Sequence, residues 1–111
     1  MLQPSAQMEQ SILLVGGELC QRVAATLHAS GWQVWHLRRR PRAAPGVFGI
    51  QGDLSVPDTL HGVLPQVSHV LFAPAPDQRT QACYQATYPI GLQHVMDALP
   101  DRSALQRVVL V

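Results

Sequence analysis

Lysine is absent from all 111 residues, and only 14% of them are charged. The eight basic side chains are therefore arginines, set against seven acids for a net charge of +1. No field of one sign draws such a chain to nucleic acid or to a membrane surface. Cysteine is scarce: Cys20 and Cys83 make neither a disulfide framework nor a metal motif. A reduced, cytoplasmic setting is the expectation. Aromatic residues reach only 5%, so the basic segment has no interleaved platform for stacking bases. Long apolar runs are missing too; residues 12–15 and 108–111 are far too short to span a bilayer. The opening MLQPSAQMEQ lacks the basic and apolar regions of a secretory signal, and residues 1–10 read as a disordered tail. His28, His36, His61, His69 and His94 show no metal-ligand spacing. There is no G-x-S-x-G elbow and no G-x-x-x-x-G-K-S/T phosphate loop.

What is present is an alternation of apolar runs and helix-like stretches. At 47% hydrophobic residues the chain can bury one modest core. Ser11–Val15 (SILLV) reads as strand one and stops at Gly16-Gly17. Glu18–Ser30 reads as a helix, with Leu19, Val23 and Leu27 on one face and Ala24 beside them. Gly31 stands where a left-handed cap is wanted. Gln33–Leu37 is strand two, 38–46 a basic, proline-rich loop, and Val47–Gln51 strand three. Ser55 is placed to cap a short helix over Val56–Leu64. His69–Ala73 is strand four. A helical region over Asp77–Leu99 should break or kink at Pro89, and Arg107–Val111 is strand five. Strands one, four and five are nearly continuous apolar runs, as in doubly covered strands.

This pattern predicts an α/β domain over residues 11–111. It would be a Rossmann-like three-layer αβα sandwich on a five-stranded parallel sheet. The order 3-2-1-4-5 follows if the arrangement is the dinucleotide-binding one. The domain would then be truncated after strand five, and the chain would lack the chemistry that follows.

The turn Val15-Gly16-Gly17-Glu18-Leu19-Cys20 carries the first functional signal. In a dinucleotide site the glycines permit a tight turn, backbone approach to a pyrophosphate and close helix–strand packing. Read as G-x-G-x-x-G, only Gly16 fits; read one residue short, Gly17 is the second glycine and Cys20 replaces the third. That cysteine should push the helix outward at about 1–3 kcal/mol. Glu18 occupies the charge niche a phosphate would use. The alternative is a joint that binds nothing. Cys20 itself reads as a buried, inert thiol.

After strand two come Arg38, Arg39, Arg40 and Arg42, with no acid. An acid there would hold a ribose 2′-hydroxyl; guanidinium accepts a 2′-phosphate. NADP is thus favoured over NAD, unless the run is simply a solvated loop. Asp53, beside Leu54, closes strand three and either meets an adenine amino group or makes its own Asx turn. Ala73-Pro74-Ala75-Pro76 after strand four is flat and donor-poor, fit to lie under a ring or to act as a rigid loop. Tyr84 and Tyr88 share a helix face and read as packing.

The segments ILLVGGELCQRVAATLHASGWQVWHLRRRP, GDLSVPDTL, VLFAPAPD, YQATYPIGLQHVMDAL and RVVLV, in that order, resemble the amino-terminal half of extended or atypical short-chain dehydrogenase/reductase proteins. The nearest group is that of NAD-dependent epimerases/dehydratases. The resemblance covers residues 11–111 and implies a Rossmann fold, a nicotinamide cofactor and often dimers. The candidate cofactor-binding residues are Gly16, Gly17 and Leu19, then Arg38, Arg39 and Arg40, Asp53 and Leu54, and Ala73 and Pro74. The family's catalytic Ser/Thr and Tyr-x-x-x-Lys fall beyond residue 111, and neither tyrosine here has a lysine four residues on. The expectation is a weakly binding, catalytically incomplete cofactor domain. Its rival is a non-enzymatic protein that keeps the sheet for self-association or partner binding. The apolar edge of strand five should drive a homodimer or larger species.

Overall fold

The computed structural model describes residues 10–42, 44–75 and 79–111. Apart from Gln10, the expected tail lies outside them, as does Asp77. The elements run β1 (Ser11–Gly16), α1 (Glu18–Ala29), β2 (Gln33–Arg38), β3 (Val47–Gln51), β4 (His69–Ala73), α2 (Gln81–Thr87), α3 (Pro89–Ala98) and β5 (Arg107–Leu110). Short 3₁₀ turns lie at Pro57–Thr59 and Arg102–Ala104. The five strands form one parallel sheet in the order β3-β2-β1-β4-β5. This is the Rossmann-like arrangement that the alternation implied.

Alternation along β1 explains the layers. Successive strand side chains point to opposite faces. Leu13 and Val15 enter a core with Val70, Phe72, Val95 and Leu99, on the side of α3. Ile12 and Leu14 enter a smaller core with Val34 and, from α1, Cys20 and Ala24. Each fully buried Leu or Phe stabilises the fold by about 1.5–3 kcal/mol. Both faces of β1 are therefore anchored, which fixes its register against β2 and β4.

Three local expectations need correction, and one about Pro89 holds. The buried face of α1 centres on Cys20 and Ala24, with Val23 and Leu27 half-buried, while Leu19 is 46% exposed. The small Cys and Ala side chains face the sheet, and the larger Leu19 is left at the helix start. The segment after β3 makes only the 3₁₀ turn at Pro57–Thr59, with no side-chain cap from Ser55. Side chains compete with the helix there: Thr59 Oγ1 donates to the Val56 carbonyl at 2.7 Å, and Ser55 donates to Asp53. Leu60 and Leu64 still reach the core. The expected break at Pro89 is present: Pro89 has no N–H to continue α2 and starts α3 instead. β5 is the edge strand expected, but its faces are not doubly covered as its apolar run suggested: Val109 is 44% and Leu110 60% exposed.

Candidate functional site

The strand register brings the candidate residues to one crest. Gly16 lies opposite Ala73, Val15 opposite Leu37, and Arg38 opposite Gln51, so β1 to β4 end at one level. Gly16 has φ +144°, where only glycine is at ease. A Cβ on it would collide with the Ala73 carbonyl, its carbon 2.7 Å away. Gly16 is thus a glycine because β1 and β4 converge.

Gly17 is a glycine for another reason. Its φ is negative, −99°, and it precedes α1 without a side-chain cap. Among the described residues, a Cβ there would meet only Arg38 Nη2, at 3.9 Å. The first N–H groups of α1 have no partner within the helix and carry its partial positive charge. Arg38 is held across the helix start by Gln21, whose Oε1 accepts from Nη1 at 3.3 Å. Gln21, one turn into α1, lies outside the predicted set. Glu18 is exposed in the first turn. Cys20 is fully buried behind the turn. Burial pushes its thiol up to about 11, against a smaller opposite effect of Arg38, so it stays protonated.

The arginine run divides. Arg38 belongs to the glycine turn. Arg39 lines an open cleft of about 390 Å³ with Gln51, Gly52, Asp53 and Thr59. Arg42 lines a smaller cavity, about 70 Å³, with Gln21, Ala24, Ala25, His36 and Val47. Arg40 is exposed and lines neither. Asp53 makes the Asx turn: Oδ1 accepts from the Ser55 hydroxyl at 2.7 Å and the Ser55 N–H at 2.9 Å. Those two bonds lower its pKa below the ordinary carboxylate value, Arg39 adding to them and burial opposing. Asp53 is therefore an anion at the mouth of the Arg39 cleft.

Three side chains that sequence reasoning did not assign to the site hold its loops. His36 Nε2 lies 2.7 Å from the Gly16 carbonyl. His94 Nδ1 lies 2.6 Å from the Leu54 carbonyl. The Tyr88 hydroxyl donates to the Pro74 carbonyl at 2.9 Å. Tyr88 also stacks on Tyr84 and meets Phe72 edge-on, so the packing role expected of the pair holds. Only His36 left a trace in sequence, as a polar residue at an inward position of β2 after Val34. The other two contacts join residues 40 and 14 apart and have no local signature. Among the described residues no three His, Cys, Asp or Glu converge on a metal position, and no helix is long and apolar enough to cross a membrane.

No protein-family model and no curated protein matches the chain. Solved structures do. A short-chain dehydrogenase/reductase superfamily protein from Agrobacterium tumefaciens, with bound NAD, is 25% identical at a TM-score of 0.71; the match covers 91% of this chain and 32% of that one. Uronate dehydrogenase from Agrobacterium tumefaciens is 18% identical, with a TM-score of 0.66, over 94% of this chain and 41% of its own. Vestitone reductase from alfalfa is 17% identical, with a TM-score of 0.67, over 90% and 35%. The last two likenesses show the fold alone. This chain spans about a third to two-fifths of the length of all three. In fold, strand order and extent, it resembles the amino-terminal half of the short-chain dehydrogenase/reductase proteins.

Proposed function

We propose that the chain binds a nicotinamide dinucleotide, as the cofactor-holding domain of an oxidoreductase- or epimerase-like protein in a reduced, cytoplasmic setting, and that it prefers NADP to NAD. The observation that carries this reading is the meeting of Arg38 with Gly17 at the start of α1. A pyrophosphate needs a backbone without a side chain, free N–H groups and positive charge. Gly17 and Arg38 supply these in one place, and Gly16 closes the turn behind them. The cleft of Arg39 and Asp53 would take the adenine end, with Leu54 next to it in the chain, and Ala73 and Pro74 would lie under the ligand beside Gly16. Leu19, exposed at the helix start, would cover the phosphates. Arg40 would add charge without contact. When bound, the dinucleotide supplies a ring that exchanges hydride; the residues named here bind and orient it.

Arg39, at the cleft that would take the adenine end, sets the preference. A 2′-phosphate accepts two parallel bonds from a guanidinium, which a ribose hydroxyl cannot. A charged hydrogen bond stabilises by about 1.5–3 kcal/mol, or roughly ten- to a hundredfold in affinity. Calorimetric titration of the chain with NADPH and NADH should give the tighter constant for NADPH. Arg39→Ala should cost NADPH about tenfold and NADH little, while Arg38→Ala should weaken both. Equal constants for the two ligands in the wild type would remove the arginine argument. Glu18 in the first turn of α1 opposes the phosphate and should keep binding weak. It also favours the second reading, a Rossmann-like protein that associates through its sheet and has lost the nucleotide. Absence of binding to either ligand at millimolar concentration would select that reading.

A further inference from the structure

We propose that His36, Tyr88 and His94 are positioning residues that hold the three loops of the dinucleotide site in their binding shape before any ligand arrives. The inference rests on the function proposed above and adds to it the groups that preform the site. The three donors come from β2, from the joint between α2 and α3, and from α3 itself. Their acceptors are the carbonyls of Gly16, Pro74 and Leu54, one in each of the loops after β1, β4 and β3.

A held carbonyl fixes its whole peptide plane, because the following N–H points the opposite way in a trans peptide. His36 therefore sets the direction of the Gly17 N–H. His94 sets that of the Ser55 N–H, which in turn holds Asp53 Oδ1 at 2.9 Å. One ring on α3 thus fixes the carboxylate of the adenine cleft. Tyr88 sets the Pro74–Ala75 peptide. The burial of His36 needs such an explanation. It is 7% exposed on the face shared with Val34, where an apolar side chain would avoid the cost of desolvating an imidazole. A bond to the glycine turn offsets that cost.

The two histidines use different ring atoms. A carbonyl can only accept, so His36 must carry its proton on Nε2 and His94 on Nδ1. This allows a crossed test. The amide of glutamine reaches about as far as Nε2, and that of asparagine about as far as Nδ1. His36→Gln and His94→Asn should bind NADPH as the wild type does. His36→Asn, His94→Gln and Tyr88→Phe should each lose about three- to tenfold. A purely space-filling role would not separate the two amides at each position. Equal binding by both amides at both positions, whether retained or lost, overturns the proposal. Where variants fail to fold, the ring-nitrogen NMR shifts of the wild type decide: either ring in the opposite tautomer overturns it. A wild type that does not bind NADPH sinks the function proposed above but not this test. In the ligand-free chain, amide exchange should quicken at Gly17 in His36→Asn and at Ser55 in His94→Gln. Unchanged exchange there refutes positioning.

Discussion

Two adjacent glycines should fail in opposite ways when a methyl group is added to each. Gly16→Ala places an L-residue at φ +144°, at a cost of about 1–3 kcal/mol. The new Cβ also meets the Ala73–Pro74 peptide, with the Ala73 carbon at 2.7 Å, and backbone cannot rotate away as a side chain can. Either β1 and β4 separate at their ends or the turn deforms, for a further cost of about 1–3 kcal/mol. The sum, about 2–6 kcal/mol, should lower the urea midpoint by roughly 1–3 M at an m of about 2 kcal/mol/M. Gly17→Ala escapes the collision, since among the described residues the nearest atom is 3.9 Å away on a flexible arginine. Loss of unfolded-state entropy should stabilise it by about 0.4–1 kcal/mol, against a similar loss for alanine at a helix cap. Its stability should stay near wild type while NADPH affinity falls about tenfold, because the methyl stands where a phosphate must approach. Urea unfolding and calorimetry on both variants make the test. A Gly16→Ala chain with the wild-type midpoint would refute the strained turn. A Gly17→Ala chain with undiminished affinity would refute a phosphate over Gly17.

Acid should weaken the fold through its histidines. Burial lowers the pKa of His36 and His69 from 6.5, so the unfolded chain takes up the proton first. Stability is then full above about 6.5 and falls as the pH drops through the lowered values. Urea midpoints between pH 7.5 and 5.5 should show the fall, and His36→Gln should flatten it; an identical slope in that variant removes His36 as a cause. The exposed Val109 and Leu110 on the outer edge of β5 should drive self-association. Val109→Lys should shift the gel-filtration and light-scattering mass toward the monomer, and a wild type already monomeric at high concentration counts against the edge.

The elements were legible because their signals are local. The apolar runs of β1, β2, β3 and β4 match their spans to within a residue, since strand burial imposes a run on its own sequence. Pro89 ended a helix by its own covalent structure, and Gly31 adopted the positive φ its position required. The errors fell where a local pattern had competitors. Leu19, Val23 and Leu27 have helical spacing, but so do Cys20, Ala24 and Leu27, and the contact with the sheet chose the smaller residues. The 3₁₀ turn after β3 replaced a helix because Asp53 and Thr59 bond across six residues to close the loop on themselves.

The candidate site divides along the same line. That Gly16, Gly17, Arg38, Asp53 and Ala73 lie at or beside strand ends could be read in advance, because strand ends are legible. The reasons they are there could not. Nothing near Gly16 in sequence shows that Ala73 crowds it, and nothing near Arg38 shows that Gln21 holds it over Gly17. The arginine run looked like one feature and is several: Arg38 and Arg39 leave the end of β2 toward different neighbours, one to the glycine turn and one to the Asp53 cleft. A single basic patch would attract any anion. Two arginines parted in this way can distinguish the ends of a dinucleotide. The specificity proposed for this chain thus depends less on the number of its arginines than on the termination of β2 between them.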